Sequence, residues 1–283
     1  MKQVFLLSKT SFCITFFLCF LPHCSSEAKN KALSHSNDHE TNKNLSISNE
    51  FLAGKFSPAK NQNFIEISSQ YSSRKQYIDK RTFAAFEKMA IAAQKDGFDL
   101  TIISATRNFH TQKIIWDEKF NGKRKVGGEN IAQTIPNEKK RALRILEFSS
   151  MPGTSRHHWG TDIDLHEKKI KAPALYNSTF KSGRGKALHD WLTKNAPKFD
   201  FCQPYTGDPA TRNGNSFQHG YREESWHWSY TPLSKLYLQQ YTKRAKALKP
   251  SGYAGDNVAA HFYLDFVQNV DPTCRWIWLL KNR

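Results

Sequence analysis

Between Arg81 and Gln94 apolar residues fall at Phe83, Phe86, Ala90 and Ala93, one face of a 3.6-residue period, and Gly97 closes the run. This pattern predicts an amphipathic helix. The run LTIISA, residues 100–105, contains no breaker and is rich in β-branched residues, so a short buried strand is expected there. A second helix is expected from about Asn108 through Phe120, broken by the glycine-rich, basic stretch NGKRKVGG, and a third over residues 138–148. A loop then turns into a strand, TDIDL, and Leu188, Trp191, Leu192 and Asn195 mark a helix that should stop near Pro197. Residues 199–204 and 224–230 read as strands. Thr231 followed by Pro232, a cap and a first-turn proline, opens a helix over residues 233–248. The aromatic tail RWIWLL reads as a packed closing segment, and no internal repeat is present. The pattern is that of a mixed α/β domain.

The ends differ in character. Lys2 and Lys9 precede an apolar run, residues 12–21, that is too short for a stable membrane span, and small residues follow through Ala28. Residues 1–28 are therefore expected to be a secretory signal peptide, with no transmembrane span left after cleavage. Ser26 and Ala28 supply the small-x-small pattern before the cut. Cys24, preceded by Leu21, is an alternative lipid-attachment site, which Pro22 and His23 fit poorly. Residues 29–60 are polar with little periodicity and read as a linker or disordered arm, leaving residues 61–283 as the folded domain.

An exported setting changes the meaning of the cysteines and of the charge. Cys13, Cys19 and Cys24 lie in or beside the signal, so Cys202 and Cys274 remain in the mature body. We expect them to pair, with two separate buried thiols as the alternative reading. The net charge of +17 falls by one when Lys2, Lys9 and Glu27 are removed. Such a field attracts polyanions, and an exported chain meets anionic envelope polymers sooner than nucleic acid, for which no motif appears. A solvated basic surface accounts for most of it.

The candidate chemistry is concentrated in TSRHHWGTDIDLH, residues 154–166, with three histidines and two aspartates. A catalytic zinc site takes about three protein ligands and keeps one position open for water. His157 and Asp164 are separated by a turn containing Gly160, which lets the chain fold back. A third ligand has to come from elsewhere, and His227, between Trp226 and Trp228 with Glu224 three residues upstream, is a candidate. Spacing alone does not choose among these residues.

Three pieces together resemble the VanY-type zinc D-alanyl-D-alanine carboxypeptidases and endopeptidases, within the LAS group of peptidoglycan peptidases. Ser155, His157, Gly160 and Asp164 occupy the places of SxHxxGxAxD. Glu224 and His227 occupy those of ExxH, and Ser104, Arg107 and Gln112 those of SxxRxxxxQ. The phrase WLTKNAPKFDF looks like the segment between the two metal motifs, and the resemblance covers about residues 64–245. It implies an α+β fold, a small mixed or antiparallel sheet with flanking helices. It also implies a Zn2+ ion on His157, Asp164 and His227, leaving His158, Asp162 and His166 outside the first coordination shell. Glu224 is implied as the general base, Arg107 as the stabiliser of the oxyanion, and Ser155 and Gln112 as candidate substrate binders.

Two departures stand out: Asp162 replaces the usual Ala and Ser225 the usual Pro. Asp162 shares a strand face with Asp164 and is positioned to orient a ligand from behind. The implied activity is hydrolysis of peptidoglycan stem peptides by a monomeric, periplasmic or envelope-associated protein, most simply the removal of a terminal D-Ala. Cross-link endopeptidase and L,D-carboxypeptidase activities, and a non-catalytic zinc-stabilised wall-binding module, are the alternatives.

Overall fold

The computed structural model describes residues 47–171, 173, 175–207 and 220–275. The expected signal peptide, the linker up to residue 46 and the aromatic tail from residue 276 lie outside the described residues. No helix among the described residues is long and apolar enough to cross a membrane.

The chain enters through a helical turn, α1 (Asn49–Leu52), capped by the Ser48 hydroxyl, which accepts from Phe51 N–H. Two three-residue strands, β1 (Phe64–Glu66) and β2 (Tyr77–Asp79), pair antiparallel. Then come α2 (Lys80–Lys95), β3 (Leu100–Ser104), α3 (Phe109–Phe120), α4 (Ile131–Thr134) and α5 (Glu138–Leu146). β4 (Asp162–Glu167), α6 (Gly183–Asn195), β5 (Phe201–Cys202), β6 (His227–Tyr230) and α7 (Thr231–Lys243) follow. The described chain closes with three short helices, α8 (Asp256–Ala259), α9 (Tyr263–Val267) and α10 (Pro272–Arg275). The main sheet has the order β3-β4-β6-β5, with every neighbouring pair antiparallel. The molecule is thus α+β, with small antiparallel sheets and flanking helices.

β4 is buried along its whole length, because both faces of the sheet are covered. Ile163 and Leu165 on one face join Leu100, Ile102, Phe201 and Trp228 against Phe86 and Met89 of α2 and Leu188 and Leu192 of α6. A second core gathers Trp116 and Phe120 of α3, Ile145 and Leu146 of α5, Tyr237 and Tyr241 of α7, and the short C-terminal helices. The other face of β4, carrying Asp162 and Asp164, is left for chemistry.

One boundary needs correction. The described part of the expected 29–60 linker is ordered: Leu52 is fully buried, its carbonyl accepts from the Trp159 indole N–H, and Arg244 bonds Ile47 O. Four apolar residues, Ile47, Phe51, Leu52 and Ala53, dock this segment, too few to register as periodicity. Cys202 and Cys274 form a disulfide, with Cα atoms 5.7 Å apart, fastening α10 to β5.

Candidate metal centre and active site

The site is assembled by two strands and one tight turn. Residues two apart on a strand share a face, so Asp162 and Asp164 of β4 point the same way. The β4–β6 register sets Asp164 opposite His227 and Asp162 opposite Ser229. His157 sits on the single 3-10 turn Arg156–Trp159, which ends at Gly160 in the left-handed region (φ 71°). A Cβ at position 160 would lie 2.4 Å from the Phe64 ring, so glycine is required both by the backbone angle and by the neighbour. This reversal returns the chain into β4 and brings His157 beside Asp164.

Hydrogen bonds fix which ring atoms are free. His157 Nδ1 lies 2.8 Å from Ala105 O, and a carbonyl only accepts, so Nδ1 carries the proton and Nε2 the lone pair. Nε2 stands 3.4 Å from Asp164 Oδ1, and neither buried atom has a hydrogen-bond partner. His227 Nε2 lies 2.9 Å from Asp162 Oδ1, which leaves Nδ1 facing Asp164 Oδ1 at 3.5 Å. The ligand atoms of His157, Asp164 and His227 all lie within 4.8 Å of one another. Two imidazole nitrogens and one carboxylate oxygen, with two of these otherwise unpartnered, fit a divalent ion with an open coordination position.

The electrostatics agree with such a site. Burial, helped by Arg107, lowers the His157 pKa and keeps the ring neutral, as a ligand must be. Burial alone would lower His227 too, but its hydrogen bonds to Asp162 and Glu224 raise it to about 9. In the metal-free protein that ring holds both protons, and a metal held there would have to displace the one on Nδ1. Burial would raise Asp162, yet Arg156 and His227 hold it below the usual carboxylate range.

The other sequence-predicted residues divide into two groups. Glu224 Oε2 lies 3.0 Å from His227 Nδ1, and Glu224, Arg107 and Ser155 line a small recess beside the ligands together with Tyr205 and Tyr221. Arg107 is anchored by its backbone, which donates to His157 O and accepts from His158, while its side chain makes no ion pair among the described residues. Gln112 departs from its expected role. It is buried on α3, donates through Nε2 to Ser150 O at 2.7 Å, and lines neither the recess nor the open cleft, so it braces the Ser149–Ser150 wall.

His158 is accounted for structurally: Nδ1 donates to Arg107 O and Nε2 accepts from Gly153 N–H, leaving no free lone pair. His166 lies further along β4, edge-on to Phe180. Two participants escaped the sequence reading. Arg156 makes a buried ion pair with Asp162, Nε to Oδ1 2.8 Å, and donates to Ser229 Oγ. Lys119, at the end of α3, lines the cleft with Arg107 and Glu224. A basic residue adjoining the HxxGxDxD stretch was the available signal for Arg156; none existed for Lys119.

Comparison with known proteins gives the lineage. An uncharacterized protein of Haemophilus influenzae is 28% identical over 109 residues, 37% of this chain and 76% of that protein. The putative carboxypeptidase YodJ of Bacillus subtilis is 26% identical over 196 residues, 65% of this chain but 60% of its own length. The solved structure of VanYB in complex with D-Alanine-D-Alanine is 24% identical, covers 65% of this chain and 87% of that one, and superposes with a TM-score of 0.43. The model of the family described as VanY, D-alanyl-D-alanine carboxypeptidase, matches residues 75–233, and the matched stretch contains Arg107, His157, Asp164, Glu224 and His227. That span is more than half of the chain, and the chain therefore belongs to the VanY family of peptidases.

Proposed function

We propose that the protein is a zinc-dependent carboxypeptidase acting on peptidoglycan stem peptides, most simply by releasing a terminal D-Ala, and that it works outside the cytoplasm after its leader is removed. The observation that carries the reading is the convergence of His157, Asp164 and His227 with Glu224 beside the His227 ligand atom and with Arg107, whose side chain has no ion pair among the described residues, lining the same recess. A pure binder has no need of a base at that point.

Held by these three residues, zinc would supply a Lewis acid that activates water and polarises the scissile carbonyl. Glu224, whose carboxylate lies beside the His227 ligand atom, takes the proton of the attacking water and passes it to the leaving amine. Arg107 offers its guanidinium to the negative charge that develops on the carbonyl oxygen. Ser155 offers a hydroxyl in the recess to the released residue. Asp162 keeps one proton of His227 on Nε2, so that the lone pair of Nδ1 would be available to a metal.

Incubating the zinc-loaded protein with defined muropeptides and weighing the products tests this assignment. Loss of one alanine from a pentapeptide stem is expected. Separation of cross-linked dimers would instead make the protein an endopeptidase, and loss of alanine only from tetrapeptides an L,D-carboxypeptidase.

A further inference from the structure

The basic stretch NGKRKVGG, which the chemistry above does not use, returns in the structure as part of a cationic rim. An open cleft of about 1250 Å3 runs past Asp164 and Glu224, and at one end it is lined by Lys119, Arg124, Lys125, Arg144 and Arg222. Their neutralisation is incomplete. Arg124 is paired with Glu118 at 2.6 Å. Arg144 and Arg222 share a single carboxylate oxygen, Glu147 Oε2, at 2.8 and 2.6 Å. Lys119 and Lys125 have no ion pair among the described residues; Lys119 donates only to Ser149 Oγ. Among the described residues these five cations make ion pairs with only two carboxylates, Glu118 and Glu147, although Asp164, Glu223 and Glu224 also line the cleft, and like charges gathered so closely repel unless an anion joins them.

The rim is also shaped to receive one. The guanidinium carbons of Arg144 and Arg222 both lie 5.0 Å from the centre of the Phe148 ring, which holds the two planar donor groups in fixed positions. The backbone of Arg222 is pinned by its N–H to Glu147 O at 3.0 Å, while its side chain stays 55% exposed to the cleft side. At position 127 a Cβ would come within 2.8 Å of Arg144 Nη2, so Gly127 leaves that edge of the guanidinium uncovered. Phe148 and Ser149 line both this cleft and the recess beside the metal ligands, which makes the rim continuous with the catalytic site.

We propose that this rim binds a second carboxylate of the substrate, one that remains on the peptide after the terminal residue has left, so that the protein selects acidic stem peptides over the same peptides carrying a carboxamide there. The proposal rests on the peptidase reading given above and adds a specificity that the metal ligands and Glu224 do not supply. A carboxylate accepts paired hydrogen bonds from guanidinium groups, whereas a carboxamide offers one oxygen, no charge and two donors that face other donors.

The test uses two synthetic pentapeptide stems, identical except that the α-carboxyl of the glutamyl residue is free in one and amidated in the other. With zinc-loaded full-length protein, KM is expected to be about ten-fold lower for the free acid, the size of one charge-assisted contact, with kcat similar. In Arg222→Gln and in Lys125→Gln the ratio of the two KM values should fall toward one. Calorimetric binding of both peptides to Glu224→Gln separates the two levels of the argument. If neither peptide is hydrolysed by the wild type, the peptidase reading fails; if both bind equally, the inference fails whatever the rates. An undiminished preference in both rim variants also overturns it. So does tight binding of poly(glycerol phosphate) without discrimination between the peptides, which would assign the rim to a wall polyanion.

Discussion

Asp162 is the residue whose environment most repays attention to charge balance. It is fully buried, and it receives Arg156, His227 and, through Oδ2, the Thr161 hydroxyl at 2.6 Å. Removing one member of a buried ion pair leaves the other uncompensated, at a cost of about 3–5 kcal/mol, whereas removing both is often close to neutral. Asp162→Ala should therefore lose stability and, because an unpaired Arg156 cation is left behind the His227 ligand, weaken metal binding by about 10- to 100-fold. The double variant Arg156→Met, Asp162→Ala should regain most of the metal affinity. Competition against a chromophoric chelator measures both, and equal losses in the single and double variants would show that the charge balance is irrelevant.

Lys119 supplies a pH dependence at the same scale. Burial and the nearby Arg107 push its ammonium pKa down to about 8. Since this folded value is below the ordinary lysine value, the fold carries a penalty for the charged form that is full below about 8 and is relieved as pH rises from about 8 to the ordinary lysine value. The positive charge offered to an anionic substrate disappears over the same interval. kcat/KM for an acidic peptide should thus fall above pH 8 in the wild type, and Lys119→Gln should lack that limb of the profile. A limb that persists in Lys119→Gln belongs to another group.

At the level of elements, the sequence was most legible where burial repeats regularly. Phe83, Phe86, Ala90 and Ala93 are the buried face of α2, and the LTIISA run became β3 with Leu100 and Ile102 inward. The β1–β2 pair was not legible: three-residue strands are shorter than the period needed to recognise them, and they are held by Gly160 O and by the Phe64 contact under the catalytic turn. For the site, motif order identified the ligand candidates, but the choice of His157 over His158 followed from resemblance. The physical reason appears only in three dimensions, where His158 spends both nitrogens on Arg107 O and Gly153 N. For Gln112, nothing in the helical pattern tells an inward amide from a cleft-facing one; in the structure its Nε2 is taken up by Ser150 O.

The Cys202–Cys274 disulfide ties elements 72 residues apart in sequence, joining α10 to the strand next to β6. Replacing both cysteines by serine should cost about 2–5 kcal/mol, by the usual range for removing a native disulfide. Denaturant unfolding of the variant against the oxidised wild type reads this directly; no change in midpoint would mean that packing alone secures the C-terminal helices.

For the whole molecule, two cores leave one polar face of β4 open to chemistry, and the catalytic turn, the segment before β6 and the cationic cleft gather beside it to bring His157, Glu224 and the rim cations to Asp164 and His227. The net charge of +17 is in this light partly functional: a share of it lines the cleft where an acidic peptide would lie. The rest is distributed over helix surfaces in pairs such as Lys186–Asp190, exposed on both sides.

The central claim is that this arrangement is a metal-dependent catalyst with Glu224 as its base, and zinc content measured alongside turnover in Glu224→Gln tests it most directly. The variant keeps the shape and polarity of the side chain while losing its ability to accept a proton, so one zinc per chain should be retained. Hydrolysis of a stem peptide should fall by about 100- to 10,000-fold, toward the upper end because one residue serves both proton transfers. Glu223, whose carboxylate is instead taken up by the Ser225 hydroxyl at 2.9 Å, is the control, and Glu223→Gln should leave the loss far smaller. Full turnover in zinc-loaded Glu224→Gln would contradict the account.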